Sequence, residues 1–280
     1  MDDEWLRTRN RLPKLLTSTP VTVAGIDHHL IELIDGHLKS SRDAKDAAHG
    51  LAAKIQHQAD PLANLHAFWE LLSDVIVQLP EHSERSMDLA CALRFLPPSL
   101  SIDWPQLPGF REVWYTRYKS HLDAPLPSEN EQLSKKATAE LRMLLRAIGR
   151  AESNMLLYGR MVPADWGFRV IALVCQRRAA FDMLLSEVYG WMSASTVLRE
   201  SNIDDPKDVR TYLYADGDRA ATMEDHWDRW TAQYLEYSNG STADGCTLSD
   251  YGRTLAGRIH THMQGGLWDG YGGISSATGV

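Results

Sequence analysis

Apolar side chains recur every three or four residues along most of this chain, and alternation with period two is hard to find, so the sequence predicts helices and few or no strands. A first helix is expected over about Ile26 to Lys39, and a second from near Ser41, where Ser-Arg-Asp offers a cap and an acid for the first turn. Asp60-Pro61 is a start signal for a third, because the carboxylate can cap exposed amides and the proline has no N–H to leave unpaired. Leu65, Phe68, Trp69, Leu72, Val75 and Ile76 then share one face, which predicts burial. Ser83 to Phe95 reads as a helix carrying Met87, Ala90, Cys91 and Arg94, stopped by Pro97-Pro98. Phe110, Val113, Trp114, Arg117 and Tyr118 keep helical spacing until Pro125 and Pro127.

Ser128 to Glu131 resembles a capping box. It opens a long helix whose stripe is Leu133, Ala137, Leu141, Leu144, Leu145, Ile148, Met155 and Leu156, ending near Tyr158-Gly159. Pro163 to Trp166 opens the next helix. With Val170, Ile171, Leu173, Val174 and Cys175 it is apolar nearly all round, the mark of a central helix enclosed by neighbours. The pattern continues over Phe181 to Trp191, a short helix or turn is expected over Val209 to Tyr214, and a last helix over about Leu248 to Met263. Met223, Trp227, Trp230, Tyr234 and Tyr237 step by four, three, four and three residues, so these five side chains line one helix face. No repeat at solenoid periods is found. The expected fold is all-α. A compact multi-helix domain over residues 1–280 would hold an internal aromatic-lined pocket, with residues 1–100 able to form a helical subdomain and a glycine-rich, mobile tail at 265–280.

Composition agrees with a self-sufficient core. Of the 280 residues 44% are hydrophobic and 24% charged, far from the signature of disorder. The formal net charge of -8, with no basic block, argues against a nucleic-acid partner. Cys91, Cys175 and Cys246 are odd in number and widely spaced, as expected of free thiols in the cytoplasm. The charged start MDDEWLRTRNR lacks a secretory apolar segment, and no stretch is long and apolar enough for a membrane span.

Candidate chemistry is sparse. His28-His29 point to different sides of a helix and His260 and His262 do not share a face, so no metal site is expected. Asp204-Asp205 precedes a proline in an expected loop and reads as solvated turn residues rather than a magnesium motif. The nucleophile elbow, the phosphate-binding loop and the dinucleotide fingerprint are all missing. The most informative polar set lies on the central helix, where Arg169 and Gln176 are seven apart and project to one side near Trp166. Arg169 either pairs with a carboxylate of a neighbouring helix or holds a ligand oxygen in an apolar pocket. Trp166, Tyr189, Trp191, Tyr212, Tyr214, Trp227, Trp230 and Tyr234 form either an aromatic core or the wall of a pocket for a flat, hydrophobic ligand.

Three stretches, LPGFREVW (107–114), FRVIALVCQRRAAFDMLLSEVYGWM, and HWDRWTAQY (226–234) with YGRTLAGRIHTHM (251–263), carry a resemblance over about Pro108 to Met263. They resemble a family of fungal helical proteins found beside secondary-metabolite genes, which includes the hetero-Diels–Alderases of tropolone sesquiterpenoid biosynthesis. The resemblance implies a cofactor-free pericyclase that adds a tropolone o-quinone methide to a humulene-type sesquiterpene. No catalytic motif carries over, so the roles come from the residues. Arg169, Gln176 and Tyr234 would be hydrogen-bond or proton donors, and Trp166, Tyr189, Trp191, Trp227 and Trp230 would hold hydrophobic small-molecule substrates in a dry site, with no metal and no cofactor. A homodimer is compatible with this reading. The alternative is a non-catalytic helical binding protein for a hydrophobic metabolite or a partner protein.

Overall fold

The computed structural model describes residues 28–39, 43–99, 101–122, 135–176, 182–200, 223–240 and 248–265, without the side chains of 28, 29 and 176. Every regular element among them is helical. The chain packs as two compact units, Met1–Pro163 and Ala164–Val280. The sequence reading differs, with a single domain and a break allowed near residue 100. What bridges residue 100 is a set of contacts inside the first unit: the Trp69 indole N–H donates to the Pro108 carbonyl at 3.0 Å, and its ring lies 5.2 Å from that of Phe110.

The first unit contains α1 (His28–Lys39), α2 (Ala44–Gln56), α3 (Pro61–Gln78), α4 (Pro80–Arg94), α5 (Phe110–Trp114) and α6 (Lys135–Asn154). The α3 start forms as its residues dictate, Asp60 accepting from the Ala63 amide at 3.0 Å with proline at the first turn. The predicted face from Leu65 to Ile76 is sealed. α4 begins at Pro80 rather than Ser83, because a proline at the first helical position forfeits no hydrogen bond. Phe68, Trp69, Phe110, Trp114 and Tyr118 form a chain of rings, with successive centroids 4.8 to 6.0 Å apart.

After α5 the backbone widens into a π-helical turn, Tyr115–Lys119, and a second such turn, Met155–Gly159, follows α6. The first turn buries Arg117, Tyr118 and Lys119 together. Charges that deep need partners, and both are present. Asp74 of α3 accepts from Arg117 Nε, from Arg117 Nη2 at 2.6 Å and from the Tyr118 hydroxyl at 2.7 Å. Glu152 of α6 accepts from Lys119 Nζ at 3.0 Å and from the Trp114 indole at 2.9 Å. Burial alone would lower the pKa of Arg117, and Asp74 overrides it and raises the value. Burial, then Asp74, holds Tyr118 well above its ordinary range.

The second unit contains α7 (Asp165–Gln176), α8 (Asp182–Trp191), α9 (Ser195–Glu200), α10 (Met223–Ser238) and α11 (Asp250–Met263). α10 and α11 lie side by side. The Trp227 indole donates to the Met263 carbonyl at 3.0 Å, and His260 Nδ1 sits 2.9 Å from the Thr231 carbonyl. α7 is buried on every side from Val170 to Cys175, as its composition requires. Close approach of α7 to α8 depends on Gly167, where a Cβ would sit 2.8 Å from the Trp191 ring. Among the described residues no helix is long and apolar enough to cross a membrane. The expected helix at Val209 to Tyr214, the capping box at Ser128, Asp204-Asp205, Cys246 and nearly all of the 265–280 tail lie outside the described residues.

Candidate functional site

All eight residues singled out by sequence as catalytic or substrate-binding belong to the second unit, on α7, α8 and α10. Arg169 is half-buried rather than buried, and the side chain of Gln176 lies outside the described residues. The aromatic members come together, but as filling. Trp191 and Tyr234 are 0% exposed, Trp227 1%, Tyr189 2%, Trp230 3% and Trp166 8%. Among the described residues these rings are packed in the core, and an internal aromatic-lined pocket is not shown there. Instead Trp227 meets Trp230 edge to face at 6.3 Å, Phe168 lies 6.2 Å from Trp230, and Trp191 covers Gly167. The Tyr234 hydroxyl is sealed without a well-formed hydrogen bond. Burial, then the neighbouring Cys175, raises its pKa well above 10, and burial pushes the Cys175 thiol up to about 12.

A different place has the dimensions of a binding site. In the first unit, the C-terminal half of α1, the start of α2 and the second half of α4 enclose an open cleft of about 700 Å³. One face of α4 supplies Arg85, Asp88, Ala92 and Phe95 at steps of three, four and three, with Cys91 beside them. α2 supplies Lys45 and His49, one turn apart, and α1 supplies His37. Leu96 and Pro97 extend the apolar side. Phe95 is 83% exposed, a phenyl ring that the fold leaves uncovered at the cleft. His37 is 2% exposed. Its Nε2 lies 3.1 Å from the Arg85 carbonyl, an acceptor, and its Nδ1 has no hydrogen-bond partner.

Comparison with family models, curated proteins and solved structures returns no match. The chemistry of the cleft therefore has to be read from its own groups. Partial burial raises the Asp88 pKa, Glu84 adds to this, and His37 and Arg85 oppose it. Burial, then Asp88, likewise raises that of Cys91, so its thiol stays protonated and weakly nucleophilic at neutral pH. Among the described residues no three histidine, cysteine or acidic side chains are grouped as metal ligands. Among its described lining residues the cleft displays no activated nucleophile. A second groove, about 390 Å³, lies in the other unit beside Trp227, His262 and the Arg199–Glu224 ion pair, and its wall mixes polar and apolar side chains. Sequence reasoning missed the cleft because its groups come from three helix ends. The one local signal was a charged stripe on α4 that finishes in an exposed phenylalanine.

Proposed function

We propose that this chain is a non-catalytic helical binding protein for a small hydrophobic metabolite, and that the metabolite occupies the cleft between α1, α2 and α4. The observation that carries this reading is an open cleft of about 700 Å³ that combines uncovered apolar surface at Phe95 and Pro97 with six polar or charged side chains, His37, Asp43, Lys45, His49, Arg85 and Asp88. Small-molecule sites have that size. A net charge of -8 favours a small molecule over a nucleic acid. The free thiols Cys91 and Cys175 suit a cytoplasmic setting. The test is a thermal-shift screen of small amphiphiles on the native protein and on Ala92→Trp, which fills the cleft from α4. Compounds that raise Tm should do so in the native protein and not in the variant. Equal shifts in both would remove the cleft from consideration.

The second reading is the cofactor-free hetero-Diels–Alder cycloaddition of a tropolone o-quinone methide with a humulene-type sesquiterpene. One observation favours it, that the aromatic residues assigned to it gather in one unit. It requires those rings to part, since they now fill the space the substrates would need. Incubation with a hydroxymethyl tropolone and humulene, followed by chiral chromatography, tests it. A faster, single-stereoisomer adduct supports the reading, and an unchanged racemic background removes it.

A further inference from the structure

We draw no further inference here: the strongest candidate, the surface patch made by the exposed rings of Phe95 at the end of α4 and Tyr158 in the π-helical turn Met155–Gly159 that packs against α4, is an unpartnered apolar face, and nothing in the structure shows what covers it.

Discussion

Removing the Asp74 carboxylate is the severest single test of the buried polar network in the first unit. Asp74 is 0% exposed, and the Arg117 side chain that it pairs with is 4% exposed, so water cannot replace the lost partner. In Asp74→Ala the guanidinium and the Tyr118 hydroxyl lose three hydrogen bonds at once. The dominant cost is a cation left buried without its counter-charge, about 3–5 kcal/mol. For a chain of this size that corresponds to a fall in Tm of roughly 6–20 °C. Asp74→Leu/Arg117→Met removes both charges and keeps the volume, so it should cost far less than the sum of the single changes. Urea denaturation of the native protein, Asp74→Leu, Arg117→Met and the double variant closes the cycle. A cost below about 1 kcal/mol for Asp74→Ala, or additive effects in the double variant, would refute the claim that this pair is desolvated and coupled.

Cys175, with its thiol held up at about 12, binds a proton that the unfolded chain releases near 9, so stability should fall as pH rises from 9 toward 12, by about 1.4 kcal/mol per pH unit. Denaturation at pH 8 and pH 10.5 checks this, and Cys175→Ala should lose less over that interval. Tyr234→Phe removes a sealed hydroxyl that lacks a well-formed hydrogen bond, so the unfolding free energy from urea denaturation should change by no more than about 1 kcal/mol, and in either direction. A loss of about 3 kcal/mol would show a strong hydrogen bond there. Gly167→Ala drives a methyl to 2.8 Å from the buried Trp191 ring and should cost about 1–3 kcal/mol. Gly36→Ala meets nothing within 4 Å in the middle of α1 and should stabilise by about 0.5–1 kcal/mol in the same assay.

Helices were the legible part of the sequence because their signals are local. The Asp60 cap with Pro61, the α3 face from Leu65 to Ile76 and the four-three-four-three steps of α10 each follow from neighbours a few residues apart. The π-helical turn at Tyr115–Lys119 was not legible. Nothing near Lys119 marks it as buried, and what buries it is Glu152, 33 positions away. The tryptophan stripe predicted one enclosed face correctly and could not say what it encloses, since a packed core and a pocket wall demand the same spacing. Among the described residues the rings pack as core, with Trp191 and Tyr234 at 0% exposure. The cleft escaped notice for the opposite reason. Lys45, His49 and Asp88 look like ordinary solvated polar groups until three helix ends bring them around one space.

The central claim is that the ligand site is the α1–α2–α4 cleft and not the aromatic core of the second unit. Backbone amide shift mapping with the amphiphile that raises Tm most tests it directly. The perturbed amides should cluster at residues 37, 43–49 and 85–97, around the groups that line the cleft. Perturbations concentrated instead at residues 166–191 and 227–237 would put the ligand among the tryptophans and contradict it.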